Sequence, residues 1–295
     1  MTIQNKNLTP VYRRGLPFAA LGLVTCATFI TSAQAQSNAP WLPIPGSGSI
    51  SAGYVNQSGD SAYIGARNLP ISAITGGGAQ KFKRETTSLK LSYGFVDSVS
   101  ADATVPYTQT RIGAADNSSG IGDSVVGVNW RVLDEFERRS LPTVTLRFSG
   151  IFNGNYNGAR LAALGKDANG YGAALLVGRQ FSALSLWGGL GFEKRESGVP
   201  NARYTDLNAG YAISKVTLSA GYTNKKFGGN LDIGGAGFTP AAFQKVREER
   251  ETVRLGASLA LTGKQSLGVS VGRTIGGRNT VKDDRILGVN YSLGF

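Results

Sequence analysis

The sequence predicts an all-β protein, a transmembrane antiparallel up-and-down β-barrel of about twelve strands. Three observations predict it. Apolar side chains recur at every second position in about twelve separate segments, which is the period of a strand with one apolar face. The connections between those segments alternate short and long. Glycine supplies 41 of 295 residues, about twice the usual ~7 %.

Residues 1–35 read as a secretory signal peptide. Lys6, Arg13 and Arg14 form a basic start, "LPFAALGLVTCATFI" is an apolar run, and "AQA" ends at Ala35 as a small-x-small cleavage site. The "GLPF" after Arg13 and Arg14 fits twin-arginine export poorly. Cys26 is the one cysteine of the sequence, so cleavage leaves a chain without thiol chemistry. Residues 36–46 follow as a short periplasmic segment, and 47–295 as the barrel. No stretch of this remainder approaches the ~18 apolar residues of a membrane helix.

The strands follow in order. "SISAGYVN" carries Ile50, Ala52 and Tyr54 on one face; "SLKLSYGF" carries Leu89, Leu91, Tyr93 and Phe95; "SVSADATVPY" carries Val99, Ala101, Ala103, Val105 and Tyr107. "SVVGVNWRV", "TVTLRFSGIF", "YGAALLV" and "ALSLWGGLGF" repeat the period through Trp130, Phe148, Leu175 and Leu186. "DLNAGYAI", "KVTLSAGY", "TVRLGASLAL" and "SLGVSV" continue it, and "RILGVNYSLGF" ends the chain with Tyr291, Leu293 and Phe295 in phase. An even strand count is what a closed bacterial barrel needs.

The links "VDS", "RQFS", "SK" and "TGKQ" are short, whereas 58–83, 153–169 and 224–250 are long. "LDEFERRSLP" is one longer link on the short side. Short periplasmic turns and long external loops produce this sorting. Aromatics gather near the strand ends: Tyr54, Tyr107, Phe152, Phe192 and Tyr222 toward the long loops, and Phe95, Trp130, Phe181, Tyr211 and Phe295 toward the short turns. Two such bands mark two membrane interfaces. The terminal strand, with Tyr291, Leu293 and Phe295, resembles the C-terminal signal that the barrel-assembly machinery reads, with periplasmic chaperones as carriers.

The other face of each strand is small or weakly polar, as at Ser51, Gly127, Asn129, Gly189, Gly256 and Gly268. About twelve strands enclose more space than the ~8 whose side chains fill a barrel, which leaves room for a pore or an inward-folded loop. The candidate lumen charges are Lys90, Arg131, Arg147, Lys215 and Arg254 against Asp102, Asp123 and Asp206. If a three-residue turn joins the second and third strands, Lys90 lies opposite Asp102 as an interior brace, leaving Arg147 and Arg254 to meet a solute. Basic groups on a channel wall concentrate anions.

Removing Lys6, Arg13 and Arg14 turns 31 basic residues into 28 against 19 acidic, about +9. This charge is spread along the chain, with no basic aromatic module that points to nucleic acid. Membrane lipid is the expected surrounding, with lipopolysaccharide beside Lys81, Lys83, Arg84, Lys225 and Lys226. The chain has no histidine, so neither a Ser-His or Cys-His pair nor a histidine metal site can be assembled. "GARLAALGKD" departs from the phosphate-binding loop in spacing and lacks the following Ser or Thr. No enzyme activity and no cofactor is expected.

"SGIGDSVVGVNWRV", opening on Gly120, Gly122 and Asp123 and alternating to a basic residue, resembles the outer-membrane barrels of the MetA-pathway phenol-degradation family, and "VDSVSADATVPY" is similar to the preceding hairpin there. The resemblance covers the layout of roughly residues 85–295. It implies an outer-membrane channel or facilitated-diffusion barrel for small solutes, aromatic or hydrophobic compounds among them. A non-conducting structural or surface-recognition barrel is the other reading the residues leave open.

Overall fold

The computed structural model describes residues 39–295 except Ala115; the expected signal peptide, with Cys26, falls outside this range. The barrel strands are β1 (Gly48–Gly59), β2 (Phe82–Val96), β3 (Val99–Ile112), β4 in two pieces (Asp116–Ile121 and Ser124–Leu133), β5 (Thr143–Phe152) and β6 (Gly170–Phe181). They continue as β7 (Leu184–Arg195), β8 (Ala202–Ile213), β9 (Val216–Phe227), β10 (Glu248–Ala260), β11 (Gln265–Arg278) and β12 (Arg285–Gly294). Each pairs antiparallel with the next, and β1 pairs with β12 as well as β2. The sheet is thereby closed, and all twelve strands expected from the period-two pattern are present. Closure leaves no unpaired strand edge, the condition for crossing lipid with strands.

Alternation explains which side faces where. Outward positions carry Leu89, Phe148, Leu190, Leu207 and Val269, all well exposed, and Leu255 is 62 % exposed. Inward positions carry Thr86, Thr108, Thr110, Thr143, Thr145 and charged groups, all buried. The molecule is therefore apolar outside and polar inside, an arrangement that lipid stabilises and water does not. The expected aromatic bands lie on this outer face. The Phe295 ring lies over Gly48, where a side chain would collide with it. Backbone bonds in both directions between Gly48 and Phe295, at 3.0 and 3.1 Å, fix the last residue to the first strand.

The two ends differ. At one end, Ser182 and Ser214 take positive φ of 56° and 55° in two-residue hairpin turns, matching the twist of the flanking strands. At the other end, 60–81, 153–169 and 228–247 are long connections. Ser61–Ile64, Arg67–Pro70 and Val281–Lys282 form a small sheet there, followed by a one-turn helix at Ile71–Ile74. An apolar cluster of Ala62, Ile71, Ala79, Phe82, Ile112 and Ala162 packs these loops into the barrel mouth.

The β2–β3 register corrects one expectation. The two strands turn on Asp97 and Ser98 with a bulge between Gly94 and Val96, so Lys90 faces Thr104 and Asp102 faces Ser92. The turn and bulge set this register, two positions from a Lys90–Asp102 pairing.

Candidate functional site

The lumen is built in three levels. Nearer the short-turn ends of their strands, Asp102 on β3, Asn129 on β4 and Arg147 on β5 point inward from adjacent strands. Arg147 Nη2 donates to Asp102 Oδ2 at 2.9 Å, and Nη1 bonds both Asp102 Oδ1 and Asn129 Oδ1, the latter at 3.0 Å. Asn129 Nδ2 donates to Asp102 Oδ1 at 2.9 Å and to Ser100 Oγ at 3.3 Å. Gly127, directly opposite Asp102, lies beneath the guanidinium, where any Cβ would overlap it. The glycine lets Arg147 reach across a whole strand. With 1 % of its side chain exposed, Arg147 is a brace. This overturns the expectation that it stands unpaired toward a solute.

At the short-turn end, residues 39–46 leave β1 and cross the mouth as a strap. Gly46 N–H donates to Gly94 O at 2.8 Å on β2, while Pro40 O accepts from Thr145 Oγ1 at 2.6 Å on β5. Trp41 packs edge-on against Trp187 with ring centres 5.9 Å apart, beside Gly178. Its Nε1 donates to Glu135 Oε1 at 2.8 Å, and Gln180 N–H donates to the other carboxylate oxygen at 2.9 Å. Glu135 belongs to "LDEFERRSLP", and anchoring the strap gives that link its extra length.

At the long-loop end, Asp123 interrupts β4 and gathers the loop 153–169. Arg195 Nη1 donates to Asp123 Oδ2 at 2.9 Å and to Ala168 O at 2.9 Å. The Tyr156 hydroxyl donates to Asp123 Oδ1 and accepts from Asp167 N–H at 2.7 Å. Burial, then the Asp123 charge, pushes the Tyr156 phenol above its ordinary range. Glu193 pairs with Lys225 at 2.7 Å, Glu248 with Lys166 at 2.5 Å, and Arg250 with Asp283.

Between these ion pairs and the loops lies a cavity of about 280 Å³. Phe82, Ile112, Leu164, Phe227, Phe243 and Ile286 give it apolar walls. Six basic side chains, Arg84, Arg160, Lys166, Lys225, Arg250 and Arg254, also line it, against the acids Asp123 and Glu248. Lys166 and Lys225 lie over the Phe227 ring, at 4.4 and 5.0 Å from its centre.

The remaining expected positions divide. Lys90 and Asp206 are buried on the inner face, where Asp206 accepts from Thr223 at 2.8 Å. Arg131 pairs with Asp134 at 3.0 Å near the short turns. Lys215 is exposed in the Ser214–Lys215 turn, apart from the lumen cluster. Arg254 lines the cavity, and Tyr291, Leu293 and Phe295 are exposed on the outer face. Of the five cations expected at the outer surface, Lys81, Lys83 and Lys226 are exposed, whereas Arg84 and Lys225 line the cavity. Strand alternation separates them, since Lys83 and Arg84 are consecutive. Sequence reading missed Trp41, Glu135, Tyr156, Glu193 and Arg195. Glu193 and Arg195 share the inward parity of Gly189, so extending β7 would have found them; the strap and Tyr156 give no periodic signal.

A sequence profile of the family described as "Putative MetA-pathway of phenol degradation" matches residues 56–290. No curated protein matches the chain. An outer membrane channel from Pseudomonas putida F1 is similar in structure, with 18% identity, a TM-score of 0.68, and 86% of this chain and 97% of that chain covered. The NanC porin aligns with 14% identity and a TM-score of 0.49 over 82% of this chain and 98% of that chain. The translocator domain of autotransporter NalP from Neisseria meningitidis aligns with 13% identity and a TM-score of 0.47 over 84% and 88%. At such identities the likeness to the Pseudomonas channel is one of fold.

Proposed function

We propose that this chain, which belongs to the phenol-degradation family whose profile spans residues 56–290, is an outer-membrane channel for small solutes with apolar or aromatic bodies. The observation that carries this reading is the apolar-walled cavity of about 280 Å³ at the long-loop mouth of a closed barrel. Apolar pockets with a few convergent polar groups are the usual form of a small-molecule site. In this reading the long loops are extracellular, and a solute captured there passes down a lumen that the brace and the strap close in the resting state. Both closures are non-covalent, so release of the strap opens the periplasmic mouth without unfolding a strand.

Residues 1–35 serve as the export signal, 36–46 as the periplasmic segment that includes the strap, and 47–295 as the barrel. Lipopolysaccharide is the proposed neighbour of the exposed Lys83 and Lys226. The barrel-assembly machinery is the proposed reader of Tyr291, Leu293 and Phe295, with chaperones in the periplasm. Phe295→Asp is expected to lower the folded, heat-modifiable fraction while export continues; an equal folded yield would remove that role.

Single-channel recording of the full chain in planar bilayers tests the channel. Discrete openings are expected, more frequent in Trp41→Ala than in the wild type. A folded barrel that passes no current in either form would establish the non-conducting reading, for which the buried Arg147–Asp102 pair inside the barrel is the favouring observation.

A further inference from the structure

The cavity holds more positive charge than its own ion pairs neutralise. Of its basic residues, Lys166, Lys225, Arg160 and Arg250 each have an acidic partner. Arg84 is bound through neutral groups, with Nε to Thr110 Oγ1 at 3.1 Å and Nη2 to Ala163 O at 3.0 Å. Arg254 forms no hydrogen bond or ion pair among the described residues, its Nε is buried without a partner, and the acid in its field, Asp206, is held by Thr223. Arg84, Arg250 and Arg254 all line this cavity, so three guanidinium groups share it. A cluster of like charges beside apolar walls is stabilised by an anion from outside, and a guanidinium offers a carboxylate two parallel donors.

We propose that the cavity binds a small amphipathic anion, a carboxylate on a compact apolar body, with Arg254 and Arg84 receiving the carboxylate and Phe82, Phe227 and Phe243 covering the body. The inference rests on reading the cavity as the entry to the solute path. Its volume of about 280 Å³ lies at the lower edge of the roughly 300–1,000 Å³ of small-molecule sites, which suits a single-ring acid. Lys166 and Lys225, already engaged with Glu248 and Glu193, set the potential that draws the anion in, and their seat on Phe227 keeps that ring at the wall.

Calorimetric titration of the folded full chain in detergent tests this, with benzoate as probe, benzyl alcohol as the neutral ring and acetate as the anion without an apolar body. Benzoate is expected to bind at least tenfold more tightly than either. Arg254→Gln is expected to lower benzoate affinity at least tenfold and leave benzyl alcohol unchanged, with Arg84→Gln as a second variant should the first not fold. Equal affinity for benzoate and benzyl alcohol, or benzoate binding insensitive to the variants, would overturn the proposal. Conductance measured on the same preparation separates the two readings. Current without benzoate binding overturns this site and leaves the channel, whereas benzoate binding without current leaves the site and overturns the channel.

Discussion

Toward the short turns, Arg147 pairs with Asp102 and Asn129, and beside it Trp41 of the strap meets Glu135. Toward the long loops, strands β2, β9 and β10 and the 153–169 loop place six basic side chains against two acids around open space. One scaffold thus holds a lower half in which named charges are matched and an upper half in which cations exceed their partners. The difference teaches that the barrel wall fixes only which side chains point inward; their function depends on whether a neighbouring strand supplies the complementary group. A buried charge ion-paired to an opposite one acts as structure, and one without an ion-pair partner attracts a ligand.

The largest effect should come from breaking the matched half. Asp102→Ala leaves Arg147 buried and uncompensated, which costs on the order of 3–5 kcal/mol and should appear as a lowered urea midpoint for the folded band. Arg147→Glu, placed against Asp102, should lose folded yield in the same way. Arg254→Glu in the upper half should fold and shift the reversal potential toward cations. Equal behaviour of the two glutamate variants would erase the distinction between the halves.

Leu255→Arg sharpens the comparison by moving a cation one position from Arg254, out of the lumen and into lipid. The expected loss is about 2–4 kcal/mol, read from unfolding of the inserted barrel. Trp41→Ala acts on the lower half alone. Removing a hydrogen bond to a carboxylate is worth about 1.5–3 kcal/mol, so the strap should be released roughly ten- to a hundredfold more often, seen as more frequent openings in bilayers. An unchanged opening frequency would mean that the strap does not close the path.

The smallest effect concerns the loop over the cavity. Tyr156→Phe removes the hydroxyl that joins Asp123 to Asp167, a loss of about 1 kcal/mol measurable as faster amide exchange in 153–169. The Tyr156 phenol is held above its usual range, so its contribution is complete below the ordinary tyrosine value of ~10 and is lost as pH rises through the raised value. Alkaline loosening of this loop should therefore appear in the wild type and be absent in Tyr156→Phe.

Much of this architecture is legible in the sequence. Period-two alternation found all twelve strands, because a strand in a barrel wall meets lipid on one face and the lumen on the other, and that boundary is written residue by residue. The same parity put Lys90, Asp102, Arg147 and Arg254 on the inner face. It also separates Lys83 from Arg84 once the strand is extended far enough. The partners of these groups were not legible. Hairpin proximity pairs Asp102 with Lys90, whereas the structure bonds it to Arg147, which lies 45 positions away in sequence and two strands away in space.

By itself, then, the sequence determined the barrel, a count of about twelve strands and the sorting of its loops, since each follows from local alternation and segment length, while the exact number is fixed by ring closure. Only the tertiary structure decided that Arg147 is a brace, that residues 39–46 cross the mouth, and that Arg84 and Arg254 meet at one cavity. Those facts depend on contacts between non-adjacent strands, which are set by ring closure and register, and no local period carries that information.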